Sequence, residues 1–142
     1  MKNYNLEDSK EMQSSWYVRF LNVHPKGLRT GDCVCRAIAL ATDTPYLELR
    51  RALNKLKRDG NYESYRQRRF IRHYLEDIIK ANNVKCTVEK GEHRITGKDF
   101  CDNNPYGVYI LNMAHHLTCC IDGKIYDTWD CGDKCVYNAW KI

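Results

Sequence analysis

The order of apolar and polar positions predicts helices in the first half of the chain and strands in the second half. Apolar residues recur at helical spacing from Cys33 to about Thr42, from Pro45 to Gly60, and over 62–81. Short apolar runs typical of strands follow, and one more such run lies near the N-terminus. The strands are expected at 16–22, 84–89, 107–113, 117–121, 125–129 and 136–140.

Asp122-Gly123 is a strong signal for a two-residue hairpin turn between two of these strands. Helices that come before a run of hairpin-connected strands predict an α+β fold, with N-terminal helices packed on a C-terminal antiparallel sheet. No Pro/Gly/Ser-rich linker interrupts the pattern. Residues 1–13 are therefore expected to be a polar leader, and 14–142 a single domain.

Composition and charge narrow the class of protein. The chain has 142 residues and 43% hydrophobic residues, which is enough for one well-formed core. No apolar run approaches the roughly 20 residues that a membrane helix needs, and the N-terminus lacks the pattern of a secretory signal. We therefore expect a cytoplasmic protein without a membrane partner. The net charge of +5 is only mildly basic.

One cysteine stands where a reactive thiol would be expected. The N-terminus of a helix lowers the pKa of a thiol, and its N–H groups can hold an oxyanion. Cys33 begins a predicted helix directly after Gly31-Asp32, and Asp32 can cap that helix. Cys35 lies two residues further on and faces another direction. Cys33 is therefore the better candidate nucleophile among eight cysteines, several of which are expected to be small buried hydrophobes.

The hairpin register selects a histidine and a carboxylate. If Asp122-Gly123 form the turn, Thr118 lies opposite Asp127, and His116 becomes a diagonal neighbour of Asp127 on the same face. His115 is expected on the other face, and Asp130 has the wrong parity. The register thus predicts His116 as a general base and Asp127 as the carboxylate that orients it.

Two segments carry a resemblance to known proteins. A cysteine on a helix, a later histidine on a strand and an Asp on the next strand is the chain order of papain-like cysteine peptidases. More narrowly, the chain resembles small phage and bacterial proteins that share two motifs, here Gly31-Asp32-Cys33-Val34-Cys35-Arg36-Ala37 and the stretch from His116-Leu117 through Asp122-Gly123 to Tyr126-Asp127-Thr128-Trp129-Asp130. The resemblance runs from about Tyr17 to the C-terminus. It implies a papain-like fold with Cys33 as nucleophile and His116 as base.

These observations together predict a cysteine hydrolase or acyl-transfer enzyme that acts on a peptide, isopeptide or other amide bond, without a cofactor or metal. The partner would be a protein or peptide substrate, or a host protein if the chain is phage-encoded, in which case it would act in the host cytosol. Papain-like peptidases usually place a Gln shortly before the cysteine; here Asn22 is the nearest amide, so it is the candidate oxyanion partner. Trp129 is a candidate for the substrate groove.

Three alternatives stay open. Cys33, Cys35, Cys131 and Cys135 could bind a structural zinc ion, although neither pair has the usual Cys-x-x-Cys spacing. Basic and aromatic residues alternate over 62–74, so the helix around Arg66 to Arg72 could bind nucleic acid. A solvated helix face with its aromatic rings in the core explains the same pattern. Finally, the fold could lack catalysis and serve as an effector or inhibitor that binds a host protein.

Overall fold

The computed structural model describes residues 16–20, 32–86, 88 and 91–142. The leader predicted for 1–13 lies outside these ranges, and so does Asn22. The helices within them are α1 (Cys33–Ala41), α2 (Tyr46–Asp59), α3 (Arg68–Arg72), which continues as a π-helical segment (His73–Ile78), and α4 (Gly97–Asn103). The strands are β1 (Tyr17–Arg19), β2 (Asn82–Val84), β3 (Val108–Met113), β4 (His116–Ile121), β5 (Lys124–Asp127) and β6 (Asn138–Lys141).

The strands form one six-stranded mixed sheet in the order β1-β5-β4-β3-β6-β2. The α+β class is confirmed, but the prediction of a purely antiparallel sheet is wrong, because β1 joins the edge of the sheet parallel to β5. A parallel neighbour needs a long crossover connection, and the whole stretch between β1 and β5 supplies it. The other neighbouring strands are antiparallel.

Apolar side chains fill both faces of this sheet. One face packs against α1, α2 and α3 and includes Leu117 and Cys119, while the other packs against α4 and includes Cys120 and Ile125. The adjacent Cys119 and Cys120 thus point to opposite faces, because side chains alternate along a strand. Within the described ranges, no helix is both long and apolar enough to cross a membrane.

The prediction of a helix over 62–81 is wrong for its first six residues, 62–67. The helix begins only at Arg68, because Ser64 forms a turn instead: its Oγ accepts from the backbone N–H of Arg66. The side chain of Gln67 reinforces this turn by accepting from the N–H of Glu63. Local bonds of this kind compete with helix formation. Helix α4 was not predicted at all, although Thr96 and Asp99 form a capping box at its start.

Candidate active site

The β4–β5 hairpin has the register that the sequence predicts. Ile121 pairs with Lys124 and Cys119 with Tyr126, around a turn in which Asp122 and Gly123 have positive φ angles of 47° and 78°. Glycine is required at the second turn position, since a Cβ there would also lie 3.2 Å from Cα of Pro105. The same register brings Thr118 opposite Asp127.

His116 and Asp127 form the predicted contact. Nε2 of His116 lies 2.7 Å from Oδ2 of Asp127, and both residues are buried. Burial by itself lowers the pKa of His116, but the hydrogen bonds to Asp127, Cys131 and Cys33 outweigh it and raise the pKa to about 11. Burial would raise the pKa of Asp127, yet the bond to His116 and those from Thr118 and Thr128 lower it. The pair is therefore an imidazolium held by a carboxylate.

Cys33 is the first residue of α1 and is half-buried. Burial raises the pKa of its thiol, but hydrogen bonds from the imidazolium of His116 and from the backbone of Leu117, together with the charges of His116 and Arg36, bring the pKa below its ordinary value. Cys33 thus lies beside the imidazole of His116, and Nε2 of that imidazole bonds to Asp127. Since Asp127 occupies Nε2 of the imidazole, Nδ1 is the ring nitrogen left for the thiol.

The neighbouring candidates lie elsewhere. Cys35 is fully buried, donates to the carbonyl oxygen of Tyr46 at 3.6 Å, and has its pKa raised to about 12, first by burial and then by the charge of Asp32. His115 lies in the exposed turn between β3 and β4 with a φ of 55°, so its placement on the opposite strand face was wrong. Asp130 accepts from Nε1 of Trp16 at 3.1 Å.

Asp32 does not cap α1 with its side chain, contrary to the prediction. Its carboxylate instead accepts from Nη1 of Arg36, one helical turn along, and from the hydroxyl of Tyr46 at 2.7 Å. The guanidinium of Arg36 therefore balances the negative charge beside Cys33. Its Nη2 also lies 3.6 Å from Oδ1 of Asp127, which links the start of α1 to the end of β5.

Asp127 has further buried partners that sequence reasoning missed. Thr118 donates to Oδ2 at 2.6 Å, the N–H of Thr128 donates to Oδ1 at 2.7 Å, and Sγ of Cys131 lies 3.7 Å from Oδ2. The hairpin register could have identified Thr118, because it stands directly opposite Asp127. Cys131 follows β5 in an irregular segment, so no periodicity in the sequence indicates its position.

His116, Asp127 and Cys131 could also bind an ion, because one ligand atom of each lies within 4.8 Å of the others. Nitrogen, oxygen and sulfur ligands of this kind suit zinc. Across the described ranges no group of this kind unites Cys33, Cys35, Cys131 and Cys135. Cys35 is instead buried in the core, where its thiol donates to the carbonyl oxygen of Tyr46. The alternative of a four-cysteine zinc site is therefore wrong.

The remaining sequence candidates divide between the site and the core. Trp129 is 44% exposed, and its ring lies 4.9 Å from the ring of His116. It thus borders the site, and its role in a substrate groove stays a prediction. In the basic and aromatic segment, Phe70 and Tyr74 are buried and Arg69 stacks on Tyr62 at 4.4 Å. The rings of Phe70 and Tyr74 therefore face the core, as the alternative of a solvated helix face predicts.

Replacing Cys33 by alanine is expected to change how stability depends on pH. Unfolded, a thiol with an ordinary pKa of 9.0 keeps its proton at pH 8, whereas the folded Cys33 releases it at lower pH. Cys33 therefore stabilises the fold fully above pH 9, and this contribution is lost as pH falls through the lowered pKa of the folded state. The contribution of His116 to stability has the opposite pH dependence. It is complete below pH 6.5 and is lost as the pH rises towards 11.

In the parent protein the two pH dependences oppose each other from the lowered pKa of the folded Cys33 up to about pH 9, because the folded state then holds one proton on His116 while the unfolded state holds one on the thiol. In the Cys33→Ala variant only His116 remains. The free energy of unfolding should then fall with rising pH by up to about 1.4 kcal/mol per unit relative to the parent. Urea unfolding under reducing conditions at pH 6.5, 7.5 and 8.5 measures this difference. Parallel curves for the two proteins would mean that the folded thiol is not ionised in this range.

Comparison with known proteins adds no relative: no family model, curated protein or solved structure matches the chain.

Proposed function

We propose that the protein is a papain-like cysteine hydrolase or acyl-transfer enzyme with Cys33 as nucleophile, His116 as general acid and base, and Asp127 as the residue that orients the imidazole. The observation that carries the proposal is the buried bond between His116 and Asp127 at 2.7 Å, with Cys33 at the start of α1 beside the same imidazole. A nucleophile, a base and an orienting carboxylate in hydrogen-bond contact is the arrangement that activates a thiol.

The reaction follows from the protonation states. The thiolate of Cys33 attacks the carbonyl carbon of the substrate, a C–S bond forms, and the carbonyl electron pair moves onto oxygen. The backbone N–H of Cys33, at the start of α1, can donate to this oxyanion. The imidazolium gives its proton to the leaving amine as the C–N bond breaks. Water then attacks the thioester, His116 takes the proton from that water, and the C–S bond breaks to restore the thiolate.

Trp129 and Thr118 support the imidazole in this scheme. Trp129 lies beside the ring of His116 and shields one side of it from solvent. Thr118 donates to the same carboxylate oxygen that holds His116, which fixes the carboxylate in place. A base that must accept and return a proton benefits from both effects, because its orientation persists through the reaction.

A small activated ester tests the proposal without knowledge of the natural substrate. With p-nitrophenyl acetate we expect a burst of about one p-nitrophenolate per enzyme, followed by slower turnover, since acylation precedes hydrolysis of the thioester. Peptide mass spectrometry should find the acetyl group on Cys33. The Cys33→Ser variant should lose both phases, while Cys35→Ser serves as the matched control and should keep them. Turnover that survives in Cys33→Ser, or acetylation of another cysteine, would contradict the proposal.

A further inference from the structure

A groove of about 700 Å³ opens beside Cys33 and His116. Its lining includes Arg66 from the segment that leads into α3, Arg68 at the start of α3, and His115 from the turn between β3 and β4. Its volume falls within the range of sites that bind small ligands or short peptide segments. The candidate nucleophile thus stands at a cavity large enough for several residues of a bound chain.

Basic side chains predominate over acidic ones among the described residues that line this groove. Among the described residues that line it, none is Asp or Glu, and Asp127 lies behind His116 outside the lining. Arg66 and Arg68 are exposed, and within the described ranges neither forms an ion pair with a carboxylate. By contrast, Arg72 on the same helix is paired with Glu76 at 3.3 Å. The two arginines at the groove are therefore available to a ligand.

Two further cations lie at the rim. Nζ of Lys134 donates to the carbonyl oxygen of Ala114, a lining residue, at 2.8 Å. The guanidinium of Arg94 lies 4.6 Å from the centre of the Tyr137 ring, and Tyr137 also lines the groove. A cleft that carries cations on several sides concentrates anionic ligands and speeds their association.

We propose that this groove binds an acidic peptide segment, with Asp or Glu side chains against Arg66 and Arg68 and the backbone carbonyl to be attacked at Cys33. The inference rests on the proposed function and names its substrate class. A guanidinium binds a carboxylate through two parallel hydrogen bonds, which gives geometric selectivity beyond the general attraction of charge. A single-stranded nucleic acid fits less well, because Phe70 and Tyr74 are buried and leave Tyr137 as the exposed aromatic ring among the described lining residues on which a base could stack.

Reactive peptides of matched length test the substrate class. The probes are iodoacetyl-capped, C-terminally amidated tetrapeptides with the sequences Glu-Gly-Glu-Gly, Gln-Gly-Gln-Gly and Lys-Gly-Lys-Gly. The rate at which each labels Cys33 is divided by its rate with glutathione, which removes differences in intrinsic reactivity. At low salt the acidic probe should label Cys33 about tenfold faster than the neutral probe, and the basic probe should be slowest. Raising the salt to 1 M should remove most of the preference.

Charge reversal at the groove identifies the cause. The double variant Arg66→Glu/Arg68→Glu should abolish the preference for the acidic probe or invert it. The matched control is Arg51→Glu/Arg58→Glu, which changes the net charge equally on exposed positions of α2 outside the lining, and it should keep the preference. Equal rates for the three probes, or a preference that survives reversal at Arg66 and Arg68, would overturn the inference.

The outcome for the substrate class is separate from that for the chemistry. If Cys33 reacts with the neutral probe no faster than glutathione does, the Cys33 thiol is not activated and the proposed function fails. The ratio between the rates of the probes still measures the charge preference of the groove. If the neutral probe labels Cys33 faster than it labels glutathione, and the acidic probe is no faster than the neutral one, the activated thiol is supported and the acidic substrate class is overturned. Protection of Cys33 by an oligothymidine at lower concentration than by an acetyl-capped Glu-Gly-Glu-Gly peptide would also overturn the peptide assignment.

Discussion

Replacing His116 by alanine is expected to slow the alkylation of Cys33 by iodoacetamide at pH 6.5 by at least about tenfold, since each unit by which the thiol pKa rises removes about nine-tenths of the thiolate at that pH. The variant loses both the hydrogen bond and the positive charge that lower the pKa of Cys33, while the burial that raises it remains. Turnover of an ester should fall further, by roughly 10²- to 10⁴-fold, because the proton donor and acceptor is also gone.

The measurement is the rate of alkylation at Cys33 as a function of pH, followed by peptide mass spectrometry. In the parent protein the rate should stay high well below pH 9; in the variant it should fall about tenfold for each pH unit. His115→Ala is the matched control, because His115 is adjacent in sequence but exposed in the turn, and it should behave like the parent. An unchanged rate in His116→Ala, or labelling of Cys86 as fast as that of Cys33, would disprove activation of the thiol.

Removal of the Asp127 side chain is expected to destabilise the fold by about 3–5 kcal/mol, the usual cost of breaking a buried charge pair at one partner. His116 would lose the counter-ion of its imidazolium, and Thr118 and the N–H of Thr128 would lose their acceptor. Asp127→Asn should cost less, because the amide oxygen can still accept a hydrogen bond. It should nevertheless lower the pKa of His116, because the negative charge is gone.

Urea unfolding of the Asp127 variants measures these losses, with Asp133→Ala as the control on an exposed aspartate that should change the free energy of unfolding by no more than about 0.5 kcal/mol. If Asp127→Ala fails to fold, Thr118→Val gives a milder measurement: it removes one donor to a charged acceptor and should cost about 1.5–3 kcal/mol. Full stability of both variants would mean that the carboxylate is not the centre of this buried network.

The parts of the site that could be predicted from sequence are those set by short-range rules. A two-residue Asp-Gly turn fixes the strand register, and the register alone brings His116 to Asp127. Likewise, the start of α1 at Cys33 follows from the loop before it and the apolar spacing after it. Both features depend on residues within about a dozen positions of one another, where periodicity and turn chemistry carry enough information.

The features that could not be predicted from the sequence depend on contacts between distant segments. Asp32 accepts from Tyr46, which belongs to the next helix, and no local rule predicts that this hydroxyl, and not a backbone N–H of α1, donates to the carboxylate. The parallel pairing of β1 with β5 joins residues about 110 positions apart, as the bond from the hydroxyl of Tyr17 to the carbonyl of Asp127 illustrates. Arg66 and Arg68 line the groove only because the chain turns at Ser64 before the helix begins.

The two-residue turn between β4 and β5 has a consequence for how this chain can tolerate changes in length. An insertion within Asp122-Gly123 lengthens a loop at the end of the hairpin and leaves the pairing of Ile121 with Lys124 available. A single residue inserted within β4 or β5 would instead turn His116 or Asp127 to the opposite face. Natural variants that keep the site should therefore accumulate insertions at the tip of this hairpin and preserve the spacing along its two arms.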